Sequence, residues 1–343
     1  MRDQMTKAHC VVTGSADGSH KELRPRHWEE GEDADRLKQK IRSGECIAFV
    51  GSGPSTGAGY PSWNTLLREL CSATGVVCAD QLECKPTETL LALADSCLQA
   101  NAHEYCNVLS RYFACTPPNI PDELRYVAKL KFRAYVTTAF DPLLHLALED
   151  EATGNLVYTY PSLPTEFNQR HLFHIHGKIE VGSEADSSKI ILGSTAFAHA
   201  YDGKNSLLWG FLQQLLTYRS CCFVGCGFRE PDLQRLFTVC GTIREEIGKM
   251  GGLDSAPEHF ALLPRDLPEL EVLLEQNEVL RQATEREIAA QNSRRAEVLK
   301  QAGITVIRYE VEKSRHLGLK EFLRECADIV PIEPGTFLQQ AKP

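Results

Sequence analysis

Ile47-Ala48-Phe49-Val50 runs directly into Gly51-Ser52-Gly53-Pro54-Ser55-Thr56-Gly57-Ala58-Gly59. Four apolar residues stopped by glycine read as a strand buried on both faces, and a buried strand that empties into a glycine loop is how α/β proteins receive phosphates. Glycine removes the Cβ atoms that would hold a pyrophosphate off the backbone N–H groups, and a helix predicted to start near Ser62 would add its positive end. The spacing matches neither common fingerprint. Thr56 holds the third glycine position of G-x-G-x-x-G, and no Gly-Lys-Ser/Thr follows as in a Walker A loop. On its own, the stretch fits a nucleotide loop and a plain strand-to-helix turn equally.

The chain has 343 residues, 43% of them hydrophobic, enough for one large α/β domain or a core with an appendage. A net charge of −9 argues against nucleic-acid binding, which normally needs a basic face. No apolar run approaches a membrane span, and Met1 to Gly18 lack an apolar signal segment, so a cytoplasmic location and no membrane contact are expected. The 13 cysteines are then expected to be reduced and mostly buried as small apolar residues. Zinc is the sharper alternative, but Cys71, Cys78, Cys84, Cys97, Cys106 and Cys115 contain no C-x-x-C pair, and Cys221, Cys222 and Cys226 sit on and after an apolar strand.

Residues 1–30 are polar and aperiodic and are read as a flexible tail or an oligomer-contacting arm. Asp33 to Ile41 is predicted helical, and Cys46 to Val50 is the first strand. Trp63 to Leu70, Thr87 to Leu98, Tyr105 to Phe113 and Asp122 to Leu130 have helical periodicity with no strand between them, so residues 73–129 are expected to be a helical insertion. Further strands are predicted at Ala134 to Thr138, Leu172 to Ile175, Ile190 to Leu192, Cys221 to Val224, Phe260 to Leu263 and Ile304 to Tyr309. Helical patterns at Leu207 to Tyr218 and Pro231 to Val239 intervene, which points to a Rossmann-like, doubly wound, mainly parallel α/β sheet. The charged stretch 267–302, with Leu270, Leu273, Leu274 and Leu280 as its apolar stripe, reads as a surface helix or a self-association element.

Ligands of open parallel sheets sit outside the carboxyl ends of the strands, so the residues that follow each apolar run are the informative ones. They are Gly51 to Ser55, then Thr137-Thr138-Ala139-Phe140-Asp141, then His176-Gly177, then Gly225-Cys226-Gly227-Phe228 with Asp232 beyond. Taken singly, Asp141 also fits a helix cap, His176 a satisfied core histidine and Gly225 a simple turn. Their common position after strands is what makes them a site.

In that order the motifs resemble the SIR2 (sirtuin-like) superfamily, and in particular its zinc-free NAD-hydrolysing domains of bacterial antiphage systems and some animal proteins. Gly51-Ser52-Gly53-Pro54-Ser55 and Ala58-Gly59-Tyr60-Pro61 match the family's glycine loop and the segment after it. Ile175-His176-Gly177 and Val224 to Asp232 match its later motifs. Deacylating sirtuins instead carry Gly-Ile-Pro-Asp-Phe-Arg and a four-cysteine zinc ribbon, whereas this chain has Gly59-Tyr60-Pro61-Ser62-Trp63 and no paired cysteines. The resemblance covers about residues 35–330, and a SIR2-like domain is expected over 31–335, with core 31–72 and 130–335.

The resemblance implies an NAD glycohydrolase that releases nicotinamide and ADP-ribose, with NAD as substrate and no metal. His176 would be the base, Asp141 would hold the nicotinamide carboxamide, and Gly51, Ser52, Gly53, Ser55, Trp63, Thr138, Gly225, Cys226, Gly227 and Asp232 would bind the dinucleotide. The family's catalytic asparagine is replaced by Ala139, whose methyl neither donates nor accepts. This marks either a natural pseudoenzyme or a substitution made to trap NAD, and the intact residues around it favour the second. An NAD-depleting immune effector would need gating, so a homo-oligomer or a companion sensor or ATPase protein is expected. A silent NAD or ADP-ribose sensor or scaffold is the alternative, with a protein deacylase behind it.

Overall fold

Period-two burial divides the strand side chains between two helical layers. The computed structural model describes residues 27–328 apart from 79–81, 83–84, 116–118, 152–153, 164–169, 204–205, 252–256, 266–277 and 312–315. Seven strands, β1 (Cys46–Val50), β2 (Tyr135–Thr137), β3 (Leu156–Thr159), β4 (His171–His174), β5 (Ser220–Val224), β6 (His259–Pro264) and β7 (Ile304–Tyr309), form one sheet ordered β3-β4-β2-β1-β5-β6-β7. Every pairing is parallel. Cys46, Ala48 and Val50 point into one core with Tyr135, Leu172, Cys222 and Val224, while Ile47 and Phe49 point into the other with Val136, Phe173, Cys221 and Phe223.

The first core is covered by α1 (Glu32–Arg42), α3 (Trp63–Thr74), α4 (Thr87–Ala100), α5 (Ala102–Phe113), α6 (Asp122–Lys129), α7 (Leu143–Asp150) and α12 (Leu317–Asp328). The second lies under α8 (Ser194–Ala200), α9 (Leu207–Tyr218), α10 (Pro231–Lys249) and the buried Leu299 of α11 (Glu278–Gln301). A single turn, α2 (Gly53–Thr56), follows β1 directly. From β1 the chain builds β2, β4 and β3 on one flank, then returns to lay β5 on the other. The switch point therefore lies between the carboxyl ends of β1 and β5, where an open sheet leaves a crevice.

Three expectations change. Ile190 to Leu192 is an extended connector, whose Ile191 N–H donates to His176 O at 2.9 Å. Its three side chains are buried, which explains their apolarity without a strand. β3 escapes the sequence reading because it is a half-exposed edge strand with no continuous apolar run. Residues 27–30 belong to the fold: Trp28 is buried against Phe322 and bridges Tyr309 on the open edge of β7. Residues 1–26, Cys84, Leu270, Leu273 and Leu274 lie outside the described residues, as does the side chain of Leu280.

The loops after β1 and β5 interlock. Gly51 N–H donates to Val224 O at 2.9 Å and Gly53 N–H to Gly225 O at 3.2 Å. A Cβ on Gly53 would lie 2.9 Å from Gly225 O, and one on Gly225, whose φ is +63°, would strike the Pro54 ring. Gly225→Ala is expected to lower the free energy of unfolding by about 1–3 kcal/mol through strain and overpacking. Gly57→Ala, where the added methyl meets only Pro54 O at 3.6 Å, should stay within about 0.5 kcal/mol. Urea titration of the two variants checks the contrast.

Candidate functional site

The crevice above β1 and β5 is a cavity of about 340 Å³, within the range of small-molecule sites. Ser52, Gly53 and Ser55 form one wall, Thr138 to Asp141 a second, His176 a third, and Gly225 to Gly227 with Arg229 and Glu230 a fourth. The helical insertion adds Lys85, Thr87, Leu90, Leu91 and Phe113. Tyr60 stacks on Phe113, with ring centroids 5.6 Å apart, and loss of water pushes its phenol up to about 12.

Asp141 is buried and has two unlike oxygens. Oδ1 accepts the Leu143 N–H at 3.0 Å, which orders the start of α7. Oδ2 is buried with no hydrogen-bond partner in the protein. Burial raises the pKa of this carboxyl, against the opposing pull of the Ser55 hydroxyl and the Leu143 N–H. A buried carboxylate with one oxygen unspent is a ready acceptor for an amide N–H of a ligand.

His176 is equally dry. Its Nε2 lies 2.7 Å from Tyr201 Oη, and Phe197 packs edge-on to the ring. Desolvation lowers its pKa to about 3, so the resting imidazole is neutral. Two residues earlier, His174 Nδ1 sits 3.3 Å from Ala139 O while its Nε2 is buried without a partner, and desolvation holds its pKa at about 3 as well. Because a carbonyl only accepts, His174 carries its proton on Nδ1.

A carboxylate from the insertion secures this corner. α8 has no cap from its own N-cap residue, Gly193, and Asp95 of α4 supplies one, accepting from Thr195 N–H and Oγ1–H at 2.9 Å each. A Cβ on Gly193 would collide with the Asp95 carboxylate. That cap fixes the helix that presses Phe197 against His176.

The residues singled out in the sequence are placed unevenly. Ser52, Gly53, Ser55, Trp63, Thr138, Ala139, Asp141, His176, Gly225, Cys226 and Gly227 line the cavity. Gly51 is not among its lining residues, and both its N–H and that of Gly53 are spent on the β5 loop rather than left for a phosphate. The Cys226 thiol donates to Phe49 O at 3.3 Å, and burial drives its pKa far up, so it is no nucleophile. Asp232 is also outside the lining, half-buried in the first turn of α10 and 3.3 Å from Arg235. The acid that does line the cavity is Glu230, two residues earlier, with its pKa raised by desolvation. Sequence reasoning also missed Tyr60, His174 and Tyr201. Tyr60 lies inside the recognised Ala58-Gly59-Tyr60-Pro61 segment, without a site role assigned to it, and His174 two residues before His176, but nothing local marks Tyr201.

A model of the SIR2-like domain matches residues 133–306, just over half of the chain. The chain belongs to the SIR2-like domain family. Two curated relatives, both named NAD(+) hydrolase ThsA, match parts of it. The protein of Bacillus cereus (strain MSX-D12) is 25% identical over 211 residues, covering 58% of this chain, and that of Cytobacillus dafuensis is 24% identical over 215 residues, covering 61%. The chain spans only 40% of the length of each relative. A solved structure from work on the mechanism and regulation of Sir2 enzymes aligns with 87% of this chain and 97% of its own, at 10% identity and a TM-score of 0.38, a likeness too loose to bear on function.

Among the described residues of this SIR2-like protein, no group of three or more His, Cys, Asp or Glu side chains is placed to hold a metal ion. No helix there is long and apolar enough to cross a membrane.

Acid should unfold the SIR2-like domain early. His174, His176 and His259 all have pKa values held below 6.5 by burial, so between that pH and their folded values the unfolded chain binds protons that the folded one refuses. Each imidazole then removes up to about 1.4 kcal/mol of stability per pH unit as pH falls below about 6.5. Asp141 and Glu230, with raised pKa values, act oppositely, costing stability as pH climbs above the ordinary carboxylate range. The urea midpoint is expected to be lower at pH 5 than at pH 7, and equal midpoints would refute this balance.

Proposed function

We propose that this SIR2-like domain is built as an NAD glycohydrolase, with Ala139 leaving it able to bind the dinucleotide but hardly to cut it. The observation that carries this reading is that residue 139 and Asp141, after β2, and His176, after β4, converge on one cavity at the switch point. The two relatives named as NAD(+) hydrolases support it.

Breaking the bond between nicotinamide and ribose takes its electron pair to the departing neutral nicotinamide and leaves an oxocarbenium-like ribose, which water attacks at C1′ to give ADP-ribose and a proton. In our reading Asp141 Oδ2 accepts from the carboxamide N–H₂ and so aligns the leaving group. His176 takes the proton of a ribose hydroxyl or of the water. Tyr201 already holds Nε2, so this role requires the proton on Nε2, with Tyr201 Oη accepting it and Nδ1 as the base. A neutral ring is the form that accepts a proton, and a positive charge developing nearby favours ionisation of Asp141 and Glu230, whose carboxyls burial otherwise holds toward the neutral form. An asparagine at 139 would orient ribose or water through an amide that both donates and accepts.

Restoring that group gives the test. Ala139→Asn is expected to raise nicotinamide release from NAD by about 10²–10³-fold, the usual value of one positioned polar contact, with NAD affinity little changed. Ala139→Asn combined with His176→Ala should return to the baseline. NAD binding by both single-site forms with no turnover from Ala139→Asn would favour the second reading, a silent NAD or ADP-ribose sensor, for which the bare Ala139 methyl is the support. Deacetylation of an acetyl-lysine peptide would point to a deacylase instead. Because free-running hydrolysis would drain a cell of NAD, a gated immune effector is the physiological form we infer. Self-assembly or a companion protein would supply the gate.

A further inference from the structure

Thr137 and His174 are partners in register and the last residues of β2 and β4. Two residues earlier on each strand, Tyr135 and Leu172 point into the first core, so period-two alternation sets Thr137 and His174 side by side on that same face, at the rim of the sheet. Both are buried. Both are also spent on one residue of the loop above them. Ala139 N–H donates to Thr137 Oγ1 at 3.1 Å, and Ala139 O faces His174 Nδ1 at 3.3 Å, where the ring nitrogen is the donor.

These two bonds fall on the two peptide groups that flank residue 139. Each peptide is planar, so holding both fixes φ and ψ at 139 and with them the direction of its Cα–Cβ bond. The pair therefore sets where a side chain at 139 points. Main-chain donors and acceptors hold the neighbours, Thr138 N–H reaching Val50 O at 3.3 Å and Ile179 N–H reaching Phe140 O at 3.0 Å. At 139 both anchors are side chains instead. His174 also keeps a buried Nε2 with no hydrogen-bond partner among the described residues. An apolar side chain would fill that place without the desolvation cost, so packing does not account for a histidine here, whereas the Nδ1 donor does.

We propose that Thr137 and His174 are positioning residues for position 139, a clamp of one acceptor and one donor that aims its side chain at the cavity it lines. The proposal rests on the glycohydrolase reading, in which an asparagine at 139 orients ribose or water. In that reaction the clamp supplies alignment rather than affinity, and its loss falls on kcat instead of KM, since a misplacement of about 1 Å costs up to about 10²-fold.

The test is NAD turnover in the Ala139→Asn background, with a urea midpoint for every variant. Adding His174→Leu is expected to lower kcat by about 10–100-fold with KM changed less than about threefold, and adding Thr137→Val should do the same. His174→Asn, whose amide nitrogen falls where Nδ1 stands, should keep kcat within about threefold of the parent, and His174→Gln, whose amide falls nearer Nε2, should not. Equal kcat in the Asn and Gln variants, or full kcat with Thr137→Val, overturns the clamp, and the first comparison holds even where His174→Leu does not fold. A second readout needs no turnover and uses the chain with Ala139 in place. Isotope labelling of alanine at the carbonyl carbon and phenylalanine at the amide nitrogen marks only the Ala48-Phe49, Ala139-Phe140 and Ala196-Phe197 peptides, and the signal lost in Ala139→Asn is that of residue 139. Its carbonyl resonance should move upfield in His174→Gln and stay in place in His174→Asn; an unmoved resonance in both refutes the clamp. Absence of turnover from Ala139→Asn itself overturns the glycohydrolase reading rather than the clamp, which the carbonyl resonance then decides.

Discussion

The contact between the loop after β1 and the loop after β5 is the constraint on which the site depends. One backbone hydrogen bond ties Gly51 to the end of β5 and a second joins Gly53 to Gly225, and three glycines bring the loops closer than any side chain would permit. The strand ends of a parallel sheet spread by twist, so something must draw the two central loops together to make one wall rather than two. Here the phosphate-type loop does so at a cost: N–H groups that might have faced a ligand are turned to the neighbouring loop. Phe228 sets the far end of the second loop in a left-handed conformation with φ of 53°, a strain held by its burial against Phe223 and Phe237.

Dryness is the second theme of the site. Desolvation dominates at Asp141, His176, Tyr60 and Glu230, and in each case it favours the neutral form. Burial thus opposes charge at these four groups, while Lys85, Arg229 and Arg295 bring cations to the same cavity.

The sequence disclosed the strands buried on both faces, because such strands are short apolar runs, and it disclosed the residues that follow them, because an open sheet always places its ligands there. Ile304 to Tyr309 and Leu207 to Tyr218 were legible to the residue. Burial without pairing was not: Ile190 to Leu192 has the composition of a strand and the hydrogen bonding of a loop. Pairing without burial failed the other way at Leu156–Thr159. At the site, motif residues were found and their supports were not. Tyr201 reaches His176 from beyond α8, and Asp95 caps that helix from 100 positions upstream, relations that only three-dimensional packing creates.

The strand order also has a consequence for synthesis. The cavity takes walls from Ser52 at one extreme and Tyr309 and His316 at the other, and the central strand β1 waits for β5, made far later, before its outer flank is covered. A nascent chain on the ribosome therefore exposes the glycine loop long before it owns a pocket. Any product released before β7 is complete carries the signature motifs without the site.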